Sequence, residues 1–147
     1  MRYSSSGKFY LQIPANEAVR LFTPEGERAW VPEWNPHYAT GEPSEAPGTV
    51  FTTRTHGSST IWTIVEIDRS AGSATYARVT PDHHAGLVRV QCADTQAGRC
   101  SVTVSYDMSL LGEEHSSGFD AYEPAQVKEM LRGWAEAIGA YLADQDT

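Results

Sequence analysis

The sequence lacks the features that mark nucleic-acid-binding, secreted or membrane-spanning proteins. Its 11 Lys and Arg residues are outnumbered by 19 Asp and Glu, which gives a formal net charge of −8 over 147 residues. Because nucleic acids and anionic membranes recruit clusters of Lys and Arg, this balance disfavours both as partners. No apolar run approaches the ~18 residues of a membrane span. The opening stretch, MRYSSSGKFY, has no apolar signal-peptide core.

Cysteine is scarce as well, and the usual catalytic and cofactor motifs are missing. Two cysteines in a chain of this length do not form a disulfide framework, so we expect reduced thiols and a cytoplasmic protein. There is no Gly-x-Ser-x-Gly motif and no phosphate-binding glycine loop. The histidines cluster only at Asp82–His84, where neighbouring side chains on extended backbone diverge. We therefore predict a solvated loop there, with no metal site and no cofactor.

The composition that is present is typical of a globular domain. Hydrophobic residues make up 40% and charged residues 20% of the chain. The length fits one domain spanning residues 1–147. A chain of this size buries roughly 68–70% of its unfolded surface, which is enough for a sizeable core.

Hydrophobic periodicity predicts the order of the secondary-structure elements. A first strand is expected at Lys8–Ile13 and a short helix at Pro14–Phe22, with one or two further turns through TPEGERAWV and a long loop over 35–48. From there the period changes to two, and short turns predict an antiparallel meander. Its strands are Thr49–Thr55, Thr60–Asp68, Ser73–Thr80, Gly86–Ala93 and Arg99–Leu110.

The clearest helix is C-terminal. Its apolar side chains recur at helical spacing, while charged residues occupy the opposite side. The helix is expected to run from Glu123 to Ala143, after an irregular turn at Gly118–Tyr122. The apolar stripe consists of Val127, Met130, Leu131, Trp134, Ile138, Tyr141 and Leu142.

Alternation along the last two strands predicts a register. Val102, Val104, Tyr106 and Met108 share one face, as do Val88, Val90 and Cys92. A hairpin centred on Gln96 would pair Val90 with Val102 and place Cys92 opposite Cys100. Two packed thiols are the favoured interpretation of this cysteine pair, and a cross-strand disulfide is the alternative.

The predicted class is α+β, with a curved antiparallel sheet of about six strands gripping the long C-terminal helix. A curved sheet that closes on one helix can leave a space between them, and such spaces serve as ligand sites.

Several segments, taken in order, are similar to a known family. These are FYLQIPANEAVRLF, WVPEW, PGTVFTTR, TIWTIVEIDRSAGSATYARVTP, VTVSYDMSLL and the final helix with Trp134. Their order resembles the START-related helix-grip (SRPBCC) superfamily, in particular its polyketide cyclase/dehydratase branch. The resemblance implies an apolar cavity between sheet and last helix, and lipids, sterols, polyketides or similar molecules as ligands. It implies no single activity, since relatives include carriers, cyclases, hydrolases, oxygenase domains and chaperone activators.

Candidate ligand-binding residues are mostly aromatic. Trp30 and Trp34 stand in AWVPEWNPHY, where prolines argue against a regular helix or strand, and we interpret this segment as the cavity rim. Core filling is the alternative role for each aromatic side chain. The full candidate set is Trp30, Trp34, His37, Phe51, Tyr76, Arg78, Tyr106, Met130 and Trp134.

Three polar residues are catalytic candidates if the protein is an enzyme: Tyr106, Arg78 and Glu66. Tyr106 lies on the inward face inferred above, and a buried Arg78 could hold a carboxylate or enolate oxygen. Glu66 and Trp62 lie on the same face of a regular strand, so Glu66 would point into the cavity if Trp62 does. The opposite face, with Val65, is more apolar, so the favoured interpretation leaves Glu66 in solvent.

The leading functional hypothesis is therefore the binding of a hydrophobic small molecule. The alternative is an enzyme of the polyketide cyclase/dehydratase type that uses the polar candidates. A regulatory domain that binds a protein through an exposed apolar patch is the third hypothesis.

Overall fold

The computed structural model describes residues 2–55, 57–111 and 124–145. Within these ranges seven strands form one antiparallel sheet, in the order β1-β7-β6-β5-β4-β3-β2. The strands are β1 (Arg2–Leu11), β2 (His37–Tyr38), β3 (Val50–Thr55), β4 (Ser58–Asp68), β5 (Ser73–Thr80), β6 (His84–Asp94) and β7 (Cys100–Leu110). The helices are α1 (Ala15–Ala18), two 3-10 helices (Val19–Phe22 and Gly26–Ala29) and α2 (Pro124–Gln145).

The predicted α+β arrangement is confirmed, with two differences in the sheet. β1 begins six residues before Lys8, because its polar first half pairs with β7 from Arg2 onward. A short strand, β2, interrupts the loop predicted over 35–48 by pairing with β3. The expected turn at Gly118–Tyr122 and the predicted first residue of the last helix, Glu123, lie outside the described residues.

The helical segment after β1 is tied to the far end of β6. Pro14 precedes α1, and the amide of Ala15 donates a 2.8 Å hydrogen bond to Asp94 Oδ1. The predicted helix over Pro14–Phe22 is divided into α1 and the first 3-10 helix. This attachment carries residues 19–34 across the inner face of the sheet.

The core lies between the inner face of the sheet and α2. The predicted inward residues of β6 and β7 are all buried, and so are Val127, Leu131 and Ile138 of the helix. The other members of the helical stripe are partly buried and pack against this core. Both amphipathic patterns are therefore confirmed. No helix among the described residues is long and apolar enough to cross a membrane.

The predicted register of the β6–β7 hairpin is wrong by two residues. Cys92 pairs with Val102, and Cys100 lies opposite Asp94. The reason is the turn, in which Thr95 N donates to Arg99 O (3.1 Å) and Gly98 adopts a positive φ of 74°, so the centre falls one residue after Gln96. A two-residue shift keeps every side chain on its predicted face. Both cysteines are buried free thiols, as the favoured interpretation expected.

The predicted inward face of β4 is also wrong. Ile64 is fully buried and Trp62 faces inward, whereas Val65 is 46% exposed. Ile64 pairs with Tyr76 but Glu66 pairs with Thr75, so Val65 is the extra residue of a β-bulge. Beyond the bulge the alternation reverses, which turns Ile67 toward the core and leaves Glu66 exposed. Glu66 is thus in solvent, as the favoured interpretation expected. The reason is the bulge, however, and not an inward position of Val65.

Candidate functional site

A cavity of about 560 Å³ lies between the inner face of the sheet, the segment over 22–34 and α2. Ligand pockets in proteins typically measure ~300–1,000 Å³. Its lining is largely apolar and aromatic, and β3 to β7 all contribute. The lining residues are Phe22, Glu27, Trp30, Val31, Pro32, Trp34, Thr53, Thr60, Trp62, Tyr76, Arg78, Val88, Val90, Tyr106, Met130, Gly133, Trp134 and Ala137.

All four tryptophans of the chain line this cavity. They form two edge-to-face pairs. The ring centroids of Trp30 and Trp134 are 5.5 Å apart, and those of Trp34 and Trp62 are 5.7 Å apart. Such pairs hold large apolar surfaces in fixed orientations.

The rim segment is held by hydrogen bonds from its two indoles to backbone carbonyls of the preceding residues. Trp30 Nε1 donates to the carbonyl of Leu21 at 2.8 Å, and Trp34 Nε1 donates to the carbonyl of Pro24 at 2.7 Å. Between the two indoles, Glu33 adopts a positive φ of 62°, which turns the chain so that both rings reach the same cavity. The irregular, proline-rich backbone is therefore what allows two neighbouring indoles to line one space.

Seven of the nine predicted ligand-binding residues line the cavity, and two do not. Phe51 is buried behind the wall, where it stacks on Trp62 at 5.9 Å and contacts Trp34 at 6.2 Å. His37 is exposed, because β2 pairs it with Thr52 on the outer face of the sheet. The seven that line the cavity are Trp30, Trp34, Tyr76, Arg78, Tyr106, Met130 and Trp134.

The uncharged polar groups of the wall have partners within the protein. Tyr76 donates its hydroxyl to the carbonyl of Phe22 at 2.6 Å, and burial raises the pKa of this phenol. Thr60 shares a 2.8 Å hydrogen bond with Thr80. The next two contacts are Trp62 Nε1 to Thr53 Oγ1 at 2.9 Å, and the Tyr106 hydroxyl to Met130 Sδ at 3.9 Å.

Arg78 and Glu27 are the two charged residues of the lining. The guanidinium of Arg78 lies over Trp62, and its Nε is buried without a hydrogen-bond partner. Burial raises the pKa of the Glu27 carboxyl well above its ordinary value, and the charge of Arg78 opposes that shift. In the described part of the chain no hydrogen bond or salt bridge joins the two side chains.

Glu27 was missed from the sequence because PEGERA has the composition of a solvated turn. A signal was nevertheless present. Residues three apart lie on the same side of a 3-10 helix, and Glu27 precedes Trp30 by three. The amide of Trp30 donates to the carbonyl of Glu27 at 3.3 Å. A 3-10 turn that buries Trp30 therefore brings Glu27 inward too.

The Asp82–His84 cluster is only partly the solvated loop that was predicted. His84 is half-buried and begins β6, next to the strand that carries Arg78. Burial, then the charge of Arg78, then His83 lower the pKa of His84 to about 4. His84 is thus uncharged near neutral pH and adds no positive charge beside Arg78. Over residues 2–55, 57–111 and 124–145 no group of three or more His, Cys, Asp or Glu is placed to hold a metal ion.

Of the catalytic candidates, Tyr106 and Arg78 line the cavity and Glu66 does not. The acid of the cavity is Glu27. An arrangement of this kind can hold an apolar body against the indoles and a polar group near Arg78 and Glu27. No described side chain lies within hydrogen-bond reach of the Glu27 carboxyl to form an acid–base pair with it.

Solved structures similar to this chain share its fold. Norcoclaurine synthase from Thalictrum flavum superposes with a TM-score of 0.69 at 9% identity, covering 97% of this chain and 87% of that one. Ara h 8.0201 gives 0.70 at 18% identity over 97% and 99% of the two chains. Major latex-like protein 151 from Panax ginseng gives 0.67 at 19% identity over 95% and 97%.

These similarities show the helix-grip fold and confirm the resemblance noted from the sequence at that level. No protein-family model matches the chain. No curated protein matches it either. A shared fold does not determine a function, which depends on the residues of the cavity.

Proposed function

We propose that this protein binds a hydrophobic small molecule, a lipid, polyketide or similar compound, in the cavity between its sheet and α2. The observation that carries the proposal is the placement of all four tryptophans around one cavity, on the sheet, on α2 and on the segment between them. Filling a core needs large apolar side chains that pack without voids. Here the indoles surround about 560 Å³ of space instead. An apolar ligand that fills this space would remove indole surface from water.

The similar structures support this class of function without fixing the ligand. One norcoclaurine synthase structure is a complex with dopamine and hydroxybenzaldehyde, both small aromatic molecules. That protein has the same fold as this chain. The helix-grip architecture is thus compatible with holding small organic molecules, and the tryptophan lining favours an apolar one here.

A neutral apolar dye tests the proposal. N-phenyl-1-naphthylamine becomes fluorescent in apolar surroundings, and energy transfer from the tryptophans reports that it lies near them. We expect saturable binding at one site, with loss of tryptophan emission and competition by a long-chain alcohol. Native mass spectrometry of protein purified from its own host would add the identity of a bound compound. Absence of saturable dye binding, together with ligand-free protein from the host, would contradict the proposal.

A second candidate function is proton-transfer catalysis of the polyketide cyclase or dehydratase type. Glu27 favours it, because a half-buried carboxyl of raised pKa that lines a cavity is a typical general acid or base. In this role Glu27 would exchange a proton with the substrate while Arg78 and Tyr106 stabilise a developing oxyanion. Once a turnover is found, Glu27→Gln should abolish it and Glu66→Gln should leave it unchanged. Equal rates in both variants would remove Glu27 from the mechanism.

The hypothesis of a regulatory protein-binding domain has less support. Ile61, Val65 and Leu87 are large apolar side chains exposed on the outer face of the sheet. Protein interfaces are typically anchored by tryptophan, tyrosine and arginine, and the four tryptophans of this chain line the cavity instead. Cytoplasmic location remains part of the proposal, and fractionation of the host cell tests it.

A further inference from the structure

We infer that the ligand of this cavity is an apolar monocarboxylic acid, bound with its carboxylate between Arg78 and Glu27 and its apolar body against the tryptophans. The inference rests on the proposed binding function and specifies the chemical class of the ligand. It follows from the charge of the lining, from the hydrogen-bonding groups left without partners, and from the position of Arg78.

The cavity lining carries one basic side chain among the described residues. Arg78 is the one basic residue of the described lining. Its guanidinium rests on the face of Trp62, and a ring face attracts a cation without neutralising it. His84 also interacts electrostatically with Arg78, and its low pKa of about 4 leaves it neutral. The wall therefore offers one positive charge, which suits a monoanion better than a dianion such as a phosphate monoester.

Glu27 does not cancel that charge. It makes no salt bridge with Arg78 among the described contacts, and burial favours its protonated form. A protonated carboxyl has one O–H donor. Glu27, from the second 3-10 helix, and Arg78, from β5, thus both offer hydrogen-bond donors to the cavity, and a carboxylate can accept from both.

Arg78 also has a hydrogen-bond donor that no group of the protein satisfies among the described residues. The threonines and Tyr76 of the wall already have partners within the protein. Arg78 Nε is buried and has none. A buried donor without an acceptor is destabilising, because it has lost its hydrogen bonds to water. A carboxylate accepts two parallel hydrogen bonds from a guanidinium, so it would remove this cost.

Arg78 is placed next to the tryptophans by the register of the sheet. It lies opposite Trp62 in the β4–β5 ladder, and Trp34 packs edge-to-face against Trp62. The carbon atoms that follow a carboxylate held by Arg78 would therefore lie against these two indoles. An amine in the same position would meet the positive guanidinium, which excludes hydrophobic cations from this class.

Matched probes test the inference. Decanoate, decan-1-ol and decyl phosphate have the same chain and differ in the charge of the head group. Their affinities are measured by displacement of N-phenyl-1-naphthylamine from wild-type protein. We expect decanoate to bind at least about tenfold more tightly than decanol (about 1.4 kcal/mol) and more tightly than decyl phosphate.

Two arginine variants separate the anchor from the rest of the cavity. Arg78→Met keeps the length of the side chain and removes its charge, so decanoate should lose its advantage over decanol while dye binding persists. Arg54→Met is the matched control, because Arg54 is exposed on β3 next to Thr53 and does not line the cavity. It should retain the full preference. A cooperative thermal transition shows that each variant is folded.

The role of Glu27 has a separate readout. If Glu27 acts as a neutral donor, Glu27→Gln keeps a neutral donor and should change decanoate affinity by less than about threefold (about 0.7 kcal/mol). A rise of about tenfold or more would show that an ionised Glu27 had been repelling the carboxylate, which would overturn its assignment as a donor.

The outcomes distinguish the inference from the function on which it depends. If neither the dye nor any probe binds to wild-type protein, the proposed function fails and the inference fails with it. If the dye and decanol bind but decanoate has no advantage, the cavity function stands and the carboxylate anchor is wrong. A preference for decanoate that survives in Arg78→Met would equally overturn it.

Discussion

The central carbon of the Arg78 guanidinium lies 4.7 Å from the centroid of the Trp62 ring. The two residues are cross-strand partners of β4 and β5, so the sheet register itself places the cation on the indole. Phe51 stacks behind Trp62 with nearly parallel ring planes, 2° apart. The basic residue of the cavity is thus supported by two aromatic rings, and no acid among the described residues forms a salt bridge with it.

Glu27 should give the protein a measurable dependence of stability on pH. Its pKa is raised on folding, so the folded state binds the proton more tightly than the unfolded state. Stability should therefore fall as pH rises above the ordinary value of 4.5 and level off once the folded carboxyl ionises, with a slope of at most about 1.4 kcal/mol per pH unit. Glu27→Gln should remove this slope.

Chemical denaturation across a pH series makes the comparison. Below the ordinary carboxyl pKa, Glu27→Gln and wild type should have similar free energies of unfolding, and at neutral pH the variant should be the more stable. Glu42→Gln, at an exposed loop carboxyl, is the control and should follow wild type throughout. Parallel curves for Glu27→Gln and wild type would contradict a raised pKa of Glu27 in the folded protein.

Two glycines of α2 offer a matched test of where the ligand binds. A Cβ atom at Gly133 or Gly139 would meet nothing within 4 Å, but Gly133 lines the cavity and Gly139 does not. Either glycine replaced by leucine should raise helix stability by about 0.5–1 kcal/mol. Gly133→Leu should also occupy cavity space and weaken dye binding, while Gly139→Leu should bind as wild type does. Equal dye affinities in both variants would place the ligand elsewhere.

Phe51 should act on the site through Trp62. Because it stacks behind the wall and is 1% exposed, Phe51→Leu should lower the free energy of unfolding by about 1–3 kcal/mol. Ligand affinity should fall only modestly, as Trp62 loses its support. Tyr10→Leu, at a side chain that is 61% exposed, is the control for an aromatic loss without burial. A loss of binding without a loss of stability would show that Phe51 contacts the ligand directly.

The two thiols should be unreactive in the folded protein. Burial raises the pKa of Cys92 to about 12, with a smaller contribution from Cys100, whose own pKa burial also raises. Since the thiolate is the reactive form, a disulfide-exchange reagent at mildly alkaline pH should label neither residue until guanidinium chloride unfolds the chain. Rapid labelling of the native protein would contradict this packing.

The fold could be predicted from the sequence because the long strands and the long helix each have a clear hydrophobic periodicity. Alternation in β7 and helical spacing in α2 are each read from a single segment, and the core confirms both. The faces of β4 were less certain, since IWTIVEID has apolar residues at both parities. The bulge at Val65 then reverses the alternation within the strand, and nothing local in the sequence marks it.

The site was predicted in part for a similar reason. Large aromatic side chains are readily recognised in the sequence as candidates for a pocket, and Trp30, Trp34 and Trp134 were among the candidates that line the cavity. Glu27 was not, because its burial depends on a 3-10 turn that is fixed by the tertiary packing of Trp30. His37 was misplaced because the two-residue strand that directs it outward has no periodicity to read. Tertiary contacts, which local sequence patterns do not encode, decided both of these positions.

The most direct test of the central claim is a nuclear magnetic resonance titration that follows the indole N–H signals of the four tryptophans. Each tryptophan gives its own signal, and all four line the cavity. Adding decanol or N-phenyl-1-naphthylamine should shift all four signals with a common saturation curve, while the backbone amide of the outward-facing Arg54 stays in place. If the ligand leaves the indole signals unmoved, or shifts only amides on the outer face of the sheet, the cavity is not the binding site.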